Sequence, residues 1–313
     1  MISAADSAVK GYVFDIQGLS VHDGPGCRTL IFMKGCTLHC SWCSNPEGIN
    51  RHPDILYSAS KCILCGNCVK NCPHHAIQIQ NEIHSINRHL CNDCHDFECV
   101  NDCHTEAIRV CGYEIKVGEI MEIIRRDRQF WGSNGGITLT GGEPLLQIDF
   151  ASKILEKCYE AYIHTAIETC GNVPWENFER VLPWLDWIFF DLKHIDAENH
   201  QQATGAGNSL ILDNLRLLTK KFPGRLILRL PLISGFNDAD ENILSLIYFM
   251  KEVGLKEINV LPLHHLGREK YQLLGKDYHG KNYTIPNHEM IGKIYKAFND
   301  NGITCYTGSD TSF

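Results

Sequence analysis

Eleven of the sixteen cysteines in this 313-residue chain fall in three tight runs, and any fold it adopts must bring those thiols together. The runs are CxxxCxxC at Cys36, Cys40 and Cys43, then CxxCxxCxxxCP at Cys62, Cys65, Cys68 and Cys72, then CxxCxxxxCxxxC at Cys91, Cys94, Cys99 and Cys103. The opening MISAADSAVKGYVF lacks the basic, apolar and small-residue order of a signal peptide, so the chain is expected to be cytoplasmic. A reducing compartment keeps thiols free, and clustered free thiols there mean metal or redox chemistry. The other five, Cys27, Cys111, Cys158, Cys170 and Cys305, read as small buried hydrophobes.

The bulk numbers exclude several classes. A hydrophobic fraction of 44% with 21% charged residues is that of a globular protein. The net charge of −8 argues against a nucleic-acid partner, which calls for a basic face. No stretch approaches the ~20 apolar residues of a membrane span, and the apolar patch 184–192 is broken by Asp186 and Asp191.

Residues 53–111 differ in kind from the rest, being cysteine-dense, short of long periodic segments and internally repeated: CPHHAIQI after the second run returns as CHTEAIRV after the third. Beyond Cys111 the pattern is regular. Strands are expected at 137–140, 164–168, 187–191, 226–230, 257–261 and 303–306, with helices near 117–130, 149–161, 175–183, 209–221, 238–253 and 288–300. Such alternation implies an α/β fold with a parallel sheet and right-handed crossovers. With 29–33 as first strand, the count suits a partial (β/α)6 TIM-type barrel made of 1–52 and 112–313, interrupted by a two-cluster ferredoxin-like insert at 53–111. The unusual polar motifs fall at the C-terminal ends of expected strands: Cys36, Gly141-Gly142-Glu143, Glu168-Thr169, Asp191-Leu192-Lys193, Arg229 and His264. Barrel active sites are assembled from those ends.

Three closely spaced thiolates at Cys36, Cys40 and Cys43 can hold three irons of a cubane and leave the fourth open for chemistry. The competing reading is a structural zinc site that borrows a distant fourth ligand. With Trp42 before the third cysteine, this spacing resembles the signature of the radical S-adenosylmethionine (SAM) superfamily. The resemblance implies that the methionyl group of SAM chelates the open iron and that an electron from the cluster yields a 5′-deoxyadenosyl radical.

The second run has bacterial ferredoxin spacing, and the third is a variant with four residues between Cys94 and Cys99 and His104 in place of proline. In two-cluster ferredoxins the fourth cysteine of each run serves the other cluster, which groups Cys62, Cys65 and Cys68 with Cys103, and Cys91, Cys94 and Cys99 with Cys72. A zinc-binding insert is the alternative. His95 and His104 read as neighbours of the ligands.

Gly141-Gly142-Glu143 lets the backbone approach a ligand closely, or makes a plain turn; in the superfamily it meets the methionyl amino group. Asp191 and Lys193 share one face at a strand end, either as a surface ion pair or, by resemblance, beside SAM together with Leu192. Resemblance also places His264 at the adenosyl group, with His265 competing, and Glu168, Thr169 and Arg229 at the cofactor; Arg229 reads equally as a core-edge arginine.

HDGPGCRT (22–29), the insert directly after the cluster motif, and SNPEG (44–48), which adds Ser44 and Asn45 to the implied SAM site, resemble the glycyl-radical-enzyme activases over nearly the whole chain. GCRT, CNDCHDFECVNDC, HTAIETC, ISGFNDADENI and the ending NGITCYTGSDTSF are most similar to activases of arylacetate decarboxylases, the 4-hydroxyphenylacetate group above all. That implies three 4Fe-4S clusters, SAM, an anaerobic setting, a flavodoxin or ferredoxin reductant, and hydrogen abstraction from one glycine of a partner enzyme. Asp23 either touches that partner peptide or simply makes its turn. The alternatives are activation of a C–N lyase or dehydratase, a radical enzyme for a small molecule, and an iron–sulfur electron-transfer protein.

Overall fold

The computed structural model describes residues 4–91 and 94–308. The last part of the ending singled out above (309–313) and positions 92–93 of the CNDC run lie outside the described residues. Thirteen strands occur among the described residues: β1 (Lys10–Ser20), β2 (Arg28–Met33), β3 (Asp54–Tyr57), β4 (Ile77–Gln80), β5 (Ile83–Ile86), β6 (Ile108–Cys111), β7 (Tyr113–Lys116), β8 (Gly136–Gly141), β9 (His164–Thr169), β10 (Trp187–Asp191), β11 (Arg225–Leu232), β12 (Glu257–Pro262) and β13 (Thr304–Thr307). Nine form one sheet in the order β13-β12-β11-β10-β9-β8-β2-β1-β7. From β2 to β13 every neighbouring pair is parallel. β1 joins β2 and β7 antiparallel, an addition that the sequence pattern did not reveal.

The parallel strands are buried almost throughout, as strands covered on both faces are. Between them run helices with one apolar stripe. In Ser209–Lys221 the stripe is Ile211, Leu215 and Leu218, and two lysines close the last turn, where they complement the helix dipole. Asp240–Val253 carries two acids in its first turn and stops at Gly254, whose φ of 78° serves as a left-handed cap. Two further helices, Ala197–Thr204 and Arg268–Leu273, went unforeseen because they are short and weakly periodic. Two expected helices end early, at Asp127 and Val181, and pass into 3-10 turns.

Between β2 and β7 lie two small two-stranded sheets, β3–β6 and the hairpin β4–β5. Asn81 and Glu82 turn the hairpin with φ of 49° and 61°, the left-handed pair that suits the strands' twist. A core of Ile55, Cys72, Ala76, Ile77, Cys99 and Ile108 holds this region together.

One buried cation ties it to the sheet. Lys34, just after β2, is fully buried, and its Nζ donates to the Glu47 carbonyl (2.7 Å) and to Asp54 Oδ2 (2.9 Å) at the start of β3. Asp54 also accepts from Asn50 (2.6 Å) and is 13% exposed, so it keeps support if the lysine is lost. Removal of one partner of a buried pair costs ~3–5 kcal/mol when the other is left uncompensated. Asp54→Ala is therefore expected to lower the thermal unfolding midpoint of anaerobically reconstituted protein clearly more than Lys34→Met.

Candidate active site at the C-terminal edge of the sheet

The chain leaves β2 through Gly35 (φ 96°) and enters the loop that carries Cys36, Cys40 and Cys43. This loop is fixed from two sides. Gly35 N–H bonds the Gly48 carbonyl (2.8 Å) and Cys36 N–H the Ile49 carbonyl (3.0 Å). His39 and Ser41 N–H groups bond the Thr204 and Ala203 carbonyls, which the end of helix Ala197–Thr204 leaves without intrahelical partners. Trp42 is buried against Phe236 (4.9 Å) and Tyr283 (5.6 Å), which anchors the loop in an apolar wall with Ala203, Ile233 and Leu263. Burial pushes the Cys40 thiol up to about 12 and the Cys43 thiol up to about 11. A hydrogen bond from Cys170 lowers the Cys36 thiol despite its burial. Cys170 is thus no inert core hydrophobe: it sits against Cys36 and 3.8 Å from Thr37 Oγ1, while its N–H bonds Glu143. ETC at 168–170 was the signal, since it puts a thiol one step past a strand-end station.

Glu168, Asp191, Lys193 and Arg229 converge next to this loop. Arg229 donates Nε to Asp191 Oδ1 (2.8 Å) and its terminal nitrogen to Glu168. Lys193 Nζ reaches Asp191 Oδ2 (2.6 Å), and Thr140 Oγ1 donates to Glu168 (2.6 Å). Arg229 lies mid-strand in β11 rather than at its end, and only its long side chain joins the group. Burial works against the charge on Asp191, yet Arg229 and Lys193 outweigh it and hold the carboxyl below its ordinary value. At Glu168 burial wins over Arg229 and lifts the carboxyl to about 7. Asp23 accepts from Ser20 Oγ (2.8 Å), and its charge is felt by both Glu168 and Arg229, so it faces this group. The intervening Leu192 is buried, at 1% exposure, within the main core.

Gly141 and Gly142 earn their places sterically. A Cβ on Gly142 would stand 2.1 Å from the Gly35 carbonyl oxygen, and Gly141 has φ of 111°. Glu143 is fully buried and turned inward: it accepts from Leu145 N–H (3.1 Å), Thr169 Oγ1 (2.8 Å) and Cys170 N–H (2.8 Å). Its carboxylate and the Thr169 hydroxyl brace two strand ends against each other, and the Gly142 and Glu143 N–H groups bond the Met33 (2.9 Å) and Gly35 (2.7 Å) carbonyls.

The segment after β12 crosses the cluster loop. Gly267 abuts Ser44 and the Cys43 carbonyl, and Lys270 Nζ bonds Asn45 Oδ1 (3.0 Å) and Glu47 (2.7 Å). His264 is exposed and its Nδ1 accepts from the Leu266 N–H (3.4 Å), whereas His265 Nδ1 is held by the Tyr278 hydroxyl (2.8 Å). Buried Tyr271 feels the charges of Cys43 and Cys40. The far end of the segment meets the small sheets, where Arg88 donates to the Leu273 carbonyl (3.0 Å).

Beside those sheets Cys62, Cys65, Cys68 and Cys103 line one cavity together with Tyr57 and His84. Burial and then the charges of Cys72, Cys94 and Cys91 raise the Cys99 thiol, and burial with Cys72 and Cys94 raises Cys91 against the charge of Arg88. The thiols therefore gather in the crossed grouping, although Cys68 also contributes weakly at Cys99. Cys158 packs against Met121 (4.0 Å), and Cys305 is buried in the main core.

Two family descriptions match this chain: the Radical SAM superfamily over residues 92–247 and the 4Fe-4S binding domain over 55–78. The first takes in the strand-end stations from Gly141 to Arg229 and leaves out Cys36–Cys43. The chain is 43% identical to the 4-hydroxyphenylacetate decarboxylase activating enzyme of Clostridioides difficile (strain 630), over 99% of this chain and 100% of that one. It is 39% identical to the indoleacetate decarboxylase activating enzyme of Tractidigestivibacter scatoligenes (96% and 98%), and 38% identical to the isethionate sulfite-lyase activating enzyme of Nitratidesulfovibrio vulgaris (88% and 92%). Its fold is similar to that of a radical SAM methyltransferase from Sphaerobacter thermophilus, with a TM-score of 0.53 at 15% identity over 91% of this chain and 68% of that one.

Glu168 gives a pH signature. Unfolded, a glutamate releases its proton near 4.5; folded, Glu168 holds it to about 7. The folded state thus binds the extra proton within that window, and stability must fall as pH rises through it. Glu168→Gln keeps the side chain's shape and removes this titration. Its unfolding midpoint should drop less than that of the wild type between about pH 5 and 7.

Proposed function

Because the chain belongs to the radical SAM activating enzymes of glycyl radical enzymes, we propose that its protein substrate is the glycine loop of an arylacetate decarboxylase. The observation that carries the partner choice is full-length identity of 43% and 39% to activating enzymes of two such decarboxylases. The isethionate sulfite-lyase relative, at 38%, favours a carbon–sulfur lyase as second reading.

The fold and residues support a mechanism. Seven parallel strands joined by six helical crossovers suit a partial (β/α)6 barrel over 1–52 and 112–313, with 53–111 as a ferredoxin-like insert. Cys36, Cys40 and Cys43 would hold the radical-generating cluster, with Cys62, Cys65, Cys68 and Cys103 on a second and Cys72, Cys91, Cys94 and Cys99 on a third. Among the described residues no three Cys, His, Asp or Glu donors converge as around one ion. A cubane instead gives each thiolate its own iron and needs the thiols set around a void, as the first insert set is. Held there, a reduced cluster would supply the one electron needed to cleave the sulfonium C–S bond of SAM, and with it the hydrogen abstraction from the partner's glycine.

The protein's share is orientation. Asp191, backed by Lys193 and Arg229, stays ionised and offers a fixed acceptor for hydroxyls or the ammonium of SAM; Glu168 shares that cradle. The Gly141-Gly142 turn, packed without side chains against Met33 and Gly35 at the root of the cluster loop, would meet the methionyl end of SAM. His264 is placed to meet the adenosyl group. Asp23 stands at the same mouth and can hold the backbone of an entering strand, and the partner's glycine suits that strand because a side chain would keep it out. The electron donor is a flavodoxin or ferredoxin, and the chain works in an anaerobic cytoplasm.

Anaerobically reconstituted protein should carry about twelve irons per chain with equal sulfide; saturation near four irons, with zinc bound, would make the insert a zinc module. The partner is tested by EPR after reduced protein and SAM are incubated with a panel of purified enzymes. Glycyl radical should form on a decarboxylase for 4-hydroxyphenylacetate, phenylacetate or indoleacetate. Efficient radical formation on a sulfite-lyase, C–N lyase or dehydratase, with none on the decarboxylases, would refute the partner and leave the activase in place.

A further inference from the structure

The cavity lined by Cys62, Cys65, Cys68 and Cys103 is shared by two side chains that no step above uses: Tyr57, the last residue of β3, and His84, the second of β5. Their rings stack at 4.1 Å with planes 13° apart. His84 Nε2 lies 3.3 Å from Cys68 Sγ, and Tyr57 lines the same cavity as Cys62. The proton's place on His84 follows from the opposite nitrogen. Nδ1 is buried and meets no hydrogen-bond partner among the described residues. A neutral ring in that setting carries its hydrogen on Nε2, where a thiolate can accept it. A phenol beside a thiolate likewise donates.

The other thiol set is served differently. Among the described residues Cys72 accepts from the Ala76 N–H (3.2 Å), and Cys91 contacts only the Asn87 carbonyl (3.8 Å). Among the described residues no side-chain hydrogen bond reaches that set, although Cys91 feels the charge of Arg88. Cys72 and Cys99 are buried, whereas Cys65 of the first set is exposed. Donors aimed at cluster sulfurs stabilise the negative charge that reduction adds, and solvent acts in the same direction.

We infer that Tyr57 and His84 form a paired donor to the outer cluster of the insert and hold its reduction potential above that of the Cys72, Cys91, Cys94 and Cys99 cluster. The outer cluster is then where an electron rests after it leaves a flavodoxin- or ferredoxin-class donor. In that step the donor is oxidised by one electron, the cluster is reduced by one, and neither side chain loses its proton. The inference rests on the three-cluster reading above.

The test is an EPR-monitored redox titration of the full reconstituted chain without SAM or partner, comparing wild type with Tyr57→Phe, His84→Phe and the double variant. Each change keeps an aromatic ring and removes one donor. One auxiliary signal should titrate at a more negative potential in each single variant and further down in the double, at unchanged iron content, while the other auxiliary signal stays where it was. A Cys94→Ala background, which removes the inner cluster, should retain the shifting signal. Unmoved potentials at full iron load would overturn the inference while leaving the cluster count and the activase intact. Should a variant shed its outer cluster, the wild-type protein decides through exchangeable-proton couplings at the reduced outer cluster in ENDOR. Strong couplings lost in deuterated water support the paired donor, and their absence overturns it.

Discussion

Arg229 stands between two carboxylates, Glu168 and Asp191, with Lys193 closing the far side of Asp191, and most of what this sheet edge can do depends on that arrangement. Either carboxylate alone in this setting would take up a proton, and either cation alone would be destabilised by lost hydration. Together they keep Asp191 ionised at the end of β10. A site so charged needs no reorganisation when a cationic, polar cosubstrate arrives, since its acceptors are already oriented. Ile167, Ile188, Phe190, Leu228 and Leu230 fix the backbone positions from which the four polar chains reach one another.

A second dependence runs from the sheet to the cysteine-rich region. Lys34 clamps the exit of β2 to the start of β3, and Arg88 grips the segment after β12. That same segment lays Lys270 on Asn45 and Tyr271 beside Cys40 and Cys43. The loop that carries the first three cysteines is thus held between the sheet, the helix Ala197–Thr204 and an element that also contacts the insert. Thiols whose burial disfavours their ionised form gain it back when iron replaces their protons, which couples a rigid loop to cluster assembly.

Much of this was legible in the sequence because it is periodic or local. β10 and the helices Ser209–Lys221 and His288–Asp300 match the expected bounds, since their apolar patterns are strong and end at turn residues or caps. The three cysteine runs are visible as spacing, and the crossed grouping of the second and third is an expectation by analogy with two-cluster ferredoxins. What stayed hidden is long-range. Nothing local shows that Glu143 turns inward to Thr169 and Cys170, that Trp42 anchors rather than presents itself, or that Cys170 meets Cys36. β1 did not show as part of the sheet, because its outer partner β7 lies beyond the insert. Tyr57 and His84 are ordinary residues until the β3–β6 and β4–β5 pairings bring them onto one cavity.

The central claim is that this chain takes a hydrogen atom from a backbone glycine of another protein. The direct measurement is isotope transfer. A partner decarboxylase whose glycines carry deuterium at Cα is incubated anaerobically with the reduced chain and unlabelled SAM, and the 5′-deoxyadenosine formed is analysed by mass spectrometry. The account predicts one deuterium in the 5′-deoxyadenosine, in proportion to the glycyl radical counted by EPR. Unlabelled 5′-deoxyadenosine formed alongside that radical, or cleavage of SAM with no radical on any partner, would contradict it.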